Sequence, residues 1–228
     1  MPTLRQLELC AYNIESCIIA AQCGASRIEL CASPEAGGTT PGYGTIKYAI
    51  EHINIPVYVM IRPRGGSFVY SPPELEIIEN DIKACKSLGC KGIVTGILTP
   101  DNNIDTEKIK RMVTLAYPMG VTFHKAFDET TDMQQALEDI IATGCGRILT
   151  SGLCPTALAG AANISKLIAQ AAGRIVIMPG GGVRSANIEE IALKTDALEY
   201  HTSAITYNNQ QYIAEKLEIR TILKKLGI

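Results

Sequence analysis

The chain lacks a charge imbalance: 21 lysines and arginines stand against 23 aspartates and glutamates, for a formal charge of -2 and a pI near 6.0. It therefore has no basic face for a phosphate backbone, and nucleic acid is not an expected partner. No apolar run reaches the length of a bilayer span, so no membrane association is expected either. The opening MPTLRQLELC has neither the apolar stretch nor the cleavage pattern of a signal peptide, which points to the cytoplasm. There is no linker and no low-complexity segment, and 228 residues lie within the range of one α/β barrel, so a single domain over 1–228 is expected. No CxxC or HxxxH spacing marks a local metal site.

What is present is apolar substance and repetition. With 46% hydrophobic and 19% charged residues the chain can build a large core. Its 8 cysteines are few for disulfide reinforcement of a chain this long, and a reducing compartment would keep them as thiols. Cys23, Cys90 and Cys145 fall in the similar junctions AAQCGASRI, SLGCKGI and ATGCGRI, where a helix ends at glycine and a strand begins. All three are expected to be small core residues. His52 falls within a helix and is expected to face solvent.

Short β-branched runs alternate eight times with helix-length amphipathic segments. The strands predicted are 7–11, 27–31, 57–63, 92–96, 121–125, 147–151, 175–179 and 197–201. The helices predicted between and after them are 13–22, 45–52, 73–88, 105–116, 132–142, 161–172, 187–193 and 212–226. Asn187 with Glu190 reads as a capping box, and Pro73 suits a first helical turn. Strand then helix without interruption means right-handed crossovers and a parallel sheet, and eight units in this length predict a closed (β/α)8 TIM barrel.

Strand alternation sorts the runs into two faces. The inward set reads Glu8, Cys10, Glu29, Cys31, Arg62, His124, Glu199 and His201. Glu199, Glu8 and Glu29 come from strands that adjoin after closure and are expected to crowd at one level, where Arg62, Lys125, proton uptake or a cation must neutralise them. One level nearer the mouth, Cys10, Cys31 and His201 would offer two sulfurs and an imidazole, a set suited to Cu(I) or zinc. The same two cysteines would equally serve as small residues in a narrow barrel.

Above the strands, MIRPRGG places Arg62 and Arg64 beside two glycines, and MPGGGVRSAN places Gly180, Gly181 and Gly182 ahead of a helix. With Ser203 after strand eight and Lys125 and Asp128 after His124, these loops could hold a small anion. In that enzyme-type reading His124, Glu8, Glu29 or Glu199 would supply acid or base, and the substrate would be a small anionic or phosphorylated metabolite.

The stretches RIELCASPEAGGTTPGYG, VMIRPRGGSFVYS, VTFHKAFD, RILTSG, MPGGGV and YHTSA resemble the signatures of the CutC family across about residues 4–204. The resemblance implies a (β/α)8 barrel, a cytoplasmic location, a homo-oligomer that is a dimer or tetramer, and Cu(I) binding in copper homeostasis. The family's suggested copper-binding cysteines land on Cys10 and Cys31. Members commonly carry arginine where this chain has Lys125, which keeps the charge and loses the planar fork.

Overall fold

The computed structural model describes residues 5–208 and 211–228. Eight strands, β1 (Gln6–Ala11), β2 (Arg27–Leu30), β3 (Val57–Met60), β4 (Gly92–Thr95), β5 (Gly120–Phe123), β6 (Arg147–Thr150), β7 (Val176–Pro179) and β8 (Glu199–Thr202), form one parallel sheet. The helices are α1 (Ile14–Cys23), α2 (Tyr43–His52), α3 (Pro72–Leu88), α4 (Thr106–Ala116), α5 (Met133–Thr143), α6 (Ala161–Ala171), α7 (Ile188–Thr195) and α8 (Lys216–Leu226). The ladder runs β7-β6-β5-β4-β3-β2-β1-β8, and β8 packs back against β7. The result is a nearly closed TIM-type barrel. At the closing seam the Thr202 hydroxyl donates to the Val183 carbonyl at 2.8 Å.

The outward faces of the strands bury Leu7, Leu9, Ile28, Leu30, Val59 and Ile93 completely beneath the helices. This layer is the main hydrophobic core, and it exists because one parity of each strand is apolar. Helix ends deliver the chain to the next strand through left-handed glycines, with φ of 93° at Gly24, 81° at Gly89 and 87° at Gly144.

Those junctions correct one expectation. Cys90 and Cys145 follow their glycines and are buried, whereas Cys23 precedes its glycine, lies in the last turn of α1 and is only half buried against α8. A one-residue shift about the turn separates a core thiol from a peripheral one. All eight cysteines are free thiols. His52 is exposed and stacks on Tyr48 at 4.0 Å.

Two further departures concern the end of the chain. The helix predicted from residue 212 begins at Lys216, because Ile205–Asn208 (β9) and Gln211–Ala214 (β10) pair as an antiparallel hairpin. Tyr207 and Tyr212 face each other across it, ring centroids 4.9 Å apart. The hairpin is tied to α1 by Asn13 Nδ2 donating to the Tyr212 carbonyl and by the Ala214 N–H donating to Ser16 Oγ. The capping box at α7 is absent too: Asn187 accepts from the Arg184 N–H and donates to the Gly182 carbonyl, stitching the loop below the helix, while Glu190 pairs with Lys194.

The barrel floor is polar and aromatic. The ring of Tyr58 fills it because Gly92 and Gly120, the first residues of β4 and β5, have no side chain there; a Cβ on either would lie 2.3 Å from Tyr58 atoms. Arg27 and Arg147 flank the same ring at 5.1 and 5.4 Å.

Candidate functional site

The register decides how the inward acids sit. Glu199 pairs with Gln6, Glu8 with His201 and Arg27, and Glu29 with Cys10, so the three carboxylates climb the barrel in two-residue steps and do not share a level. That stagger is the shear a closed parallel barrel requires. The neutralising cations are also different from those expected. Arg27 bridges Glu8 and Glu199, and Arg147 grips Glu199 in two-point fashion at 2.8 and 3.1 Å. Both arginines open their strands at the inward parity, which is visible in the sequence itself. Burial would raise the Glu8 pKa, but Arg27 and His201 bring it down to about 2; the Glu199 carboxyl is likewise lowered by Arg147 and Arg27 against the effect of burial.

Above this floor a cavity of about 490 Å³ opens at the carboxyl ends of the strands. Cys10 lines its base, and Cys31 lies buried directly behind it, the two sulfurs 3.8 Å apart. One donor atom from each of Cys10, Glu29 and Cys31 lies within 4.8 Å of the others. Met60 packs in the same small cluster with both cysteines and Val94. The expected third partner, His201, hydrogen-bonds Cys10 from beside that triangle, while its Nδ1 meets Glu8 Oε1 at 2.7 Å and its Nε2 faces Glu29 Oε2 at 3.7 Å. The residue closing the donor triangle is Glu29, because it is the Cα partner of Cys10 on the adjacent strand.

The protons in this cluster are shared unequally. A hydrogen bond from the Cys31 thiol, aided by His201, holds Cys10 well below the usual thiol range, while burial and the Cys10 charge push Cys31 well above it. Burial raises the Glu29 carboxyl strongly, helped by the neighbouring Cys10 charge. For His201 burial acts downward, but Cys10, Glu8 and Glu29 outweigh it and hold the ring protonated well above its ordinary value. Glu29 Oε1 is buried without a hydrogen-bond partner, an acceptor left open at the cavity base.

Two thiol sulfurs bound to one ion at about 2.3 Å and a tetrahedral angle would be separated by roughly 3.8 Å. The cysteine pair fits that requirement as it stands, and soft sulfur donors select Cu(I) or zinc over hard cations.

The remaining candidates divide. His124 lines the cavity, 4% exposed; its Nδ1 accepts from the Ala126 N–H, its ring packs on Phe68, and Nε2 has no partner. Gly96 makes room for that ring, since a Cβ there would meet it at 2.5 Å. Lys125 donates to Ser151 Oγ and pairs with Asp128, which also accepts from the N–H groups of Ser151 and Leu153 and from the Thr150 hydroxyl. Asp128 thus braces the loop after β6. Arg62 reaches the cavity but spends its terminal nitrogens on the carbonyls of Ala36, Gly38 and Gly66, leaving only Nε without a partner. Arg64 does not line the cavity: it pairs with Glu74 and holds the carbonyls of Ser67 and Val69. Glu8 and Glu199 are likewise absent from its wall, being held in the floor. Gly180 sits at the β7–β8 seam against Leu149 and His201, whereas Gly181, Gly182 and Ser203 line the opening. Arg184, two residues beyond the glycines in the same MPGGGVR stretch, lines it as well, a position that strand parity does not reach.

Comparison with known proteins was consistent across sequence and structure. The family model for the CutC family matches residues 5–206. A CutC family protein of Chromobacterium violaceum is 46% identical over 198 residues, covering 87% of this chain and 80% of that protein. The copper homeostasis protein cutC homolog of Homo sapiens is 45% identical over 198 residues, covering 87% of this chain and 72% of its own. The crystal structure of the CutC protein of Streptococcus agalactiae superposes with a TM-score of 0.83 at 37% identity, covering 88% of this chain and 99% of that one. Phosphoribosylanthranilate isomerase of Thermotoga maritima shares the fold alone, with a TM-score of 0.66 at 11% identity over 98% of this chain and 99% of its own.

Proposed function

This chain belongs to the CutC family, and from that premise we propose that it binds Cu(I) at the base of its barrel in the service of copper homeostasis. Cys10 and Cys31 are the thiolate ligands. The observation that carries the reading is the 3.8 Å separation of two free, buried sulfurs, one on β1 and one just past the end of β2, of which Cys10 lines the cavity. Nothing about core packing requires two cysteines to converge beside an unpartnered carboxylate oxygen. His201 acts through its neighbours, orienting Glu29 and Glu8 and balancing the thiolate charge.

The ion would enter from the mouth, since the floor is closed by Tyr58 and the two arginine bridges. No helix among the described residues is long and apolar enough to cross a membrane. We place the protein in the cytoplasm, where thiols stay reduced and copper is carried as Cu(I), and as a homo-oligomer.

The test is a competition titration against a chromophoric Cu(I) chelator under reducing conditions. Wild-type protein is expected to take up close to one equivalent, and a Cys10→Ser, Cys31→Ser double variant to lose that uptake. Equal affinity in the double variant would end the proposal.

A further inference from the structure

The cavity is chemically two-ended, and the copper reading uses only its base. At the mouth Arg184 makes its side-chain hydrogen bonds to the Val183 carbonyl and the hydroxyls of Thr202 and Ser203, and among the described residues it pairs with no carboxylate. A guanidinium cradled by neutral oxygens keeps its charge available to a ligand. The adjoining loop runs through Gly181 and Gly182 at φ of 102° and 71°, a conformation that glycine adopts without strain. Among the described residues neither of their N–H groups donates to another backbone group. The Lys125 ammonium closes over the same loop, 3.2 Å from where a Gly181 Cβ would be.

Deeper in the same cavity lies an independent observation. His124 is buried, and the Ala126 N–H donating to its Nδ1 places the ring proton on Nε2. That N–H is a neutral donor with no acceptor in the protein. Burying such a donor without a partner costs roughly as much as losing a hydrogen bond, so the residue is best explained by something that completes it. Phe68 packs on the ring at a tilt of 51°, centroids 4.8 Å apart, and limits its rotation.

We propose that the barrel mouth binds a small phosphate monoester, its phosphate held by Arg184, Lys125 and the Gly181 and Gly182 N–H groups and an uncharged oxygen further along the molecule accepting a hydrogen bond from His124 Nε2–H. Oriented backbone N–H groups with one arginine and one lysine suit a dianionic tetrahedral group better than a planar carboxylate. Asp128 and Glu129 at the rim moderate the positive field. Asp128 is already paired with Lys125.

The site is separate from the thiol base, so the experiment is run on metal-free protein and repeated in the Cys10→Ser, Cys31→Ser background. Isothermal titration uses inorganic phosphate and glycerol 3-phosphate as probes. Glycerol 3-phosphate is expected to bind several-fold tighter than inorganic phosphate in both backgrounds. Arg184→Ala should weaken both at least about tenfold, and His124→Phe should remove the preference for the organic probe while leaving inorganic phosphate unchanged. In case that buried substitution unfolds the barrel, the ¹⁵N resonance of His124 Nε2 in wild-type protein gives a second readout, shifting with glycerol 3-phosphate and not with inorganic phosphate. Absence of binding by either probe up to roughly 10 mM, an Arg184→Ala affinity within twofold of wild type, or an unmoved His124 signal would each overturn the proposal. Loss of copper uptake would leave it standing.

Discussion

The backbone N–H of Ala126 donates to Nδ1 of His124 across 3.2 Å. That contact is made because Lys125–Glu129 forms a single 3-10 turn with His124 as its N-cap. One local bond therefore fixes the tautomer of a cavity-lining side chain whose other nitrogen is buried without a partner.

The pH dependence of stability follows from the same residue. Burial, with the nearby Arg62 charge, lowers the His124 pKa from 6.5 to about 3. The unfolded chain takes up a proton near pH 6.5 that the folded chain refuses, so this contribution is complete above 6.5 and is lost as pH falls toward 3. The expected slope is roughly 1.4 kcal/mol per pH unit inside that window. Urea denaturation of wild type and His124→Phe at pH 6.5, 5.5 and 4.5 measures the difference; parallel stability curves would contradict it.

The donor triangle makes a prediction about ligand choice. Glu29→Gln removes the carboxylate closest to both sulfurs, and His201→Gln removes the group that orients it. Both are expected to weaken Cu(I) binding by about 10- to 100-fold without abolishing it, in contrast to loss of the cysteines. If His201→Gln abolished binding and Glu29→Gln had no effect, His201 would be the ligand in place of Glu29.

Met60 supplies a thioether in contact with the cysteine cluster. Met60→Leu preserves volume at a cost under about 1.5 kcal/mol in stability. It should nonetheless reduce Cu(I) affinity more than zinc affinity, because a thioether is a soft donor. Paired competition titrations with the two metals decide this, and equal losses would make Met60 a packing residue only.

The floor offers a test of packing alone. A Cβ on Gly120 would sit 2.3 Å from the Tyr58 hydroxyl oxygen but 3.0 Å from the ring carbon that bears it. Gly120→Ala is expected to cost about 1–3 kcal/mol by overpacking. Tyr58→Phe should recover part of that loss, although it also gives up the contact with Arg147. Thermal melts of the two single variants and the double variant form the cycle. Strictly additive effects would show that the side chains do not meet.

Much of this architecture was legible along the chain. Alternation within each run placed Glu8, Cys10, Glu29, Cys31, His124 and His201 inside the barrel, because side-chain parity is a property of one strand. The eightfold strand–helix rhythm carried the barrel for the same reason. Near the end of the chain the reading failed: residues 211–214 pair with 205–208, and a strand held by a partner ten residues or fewer away looks like part of the helix that follows it.

Sequence by itself determined which residues face the interior and that eight parallel units surround them. Only the tertiary structure decided which of them touch. Register between strands set Glu29 as the carboxylate beside both sulfurs, and assigned Arg27 and Arg147 to the acids of the floor. Shear in a closed sheet displaces neighbouring strands along one another, and that displacement is a relation between distant segments that no single strand encodes.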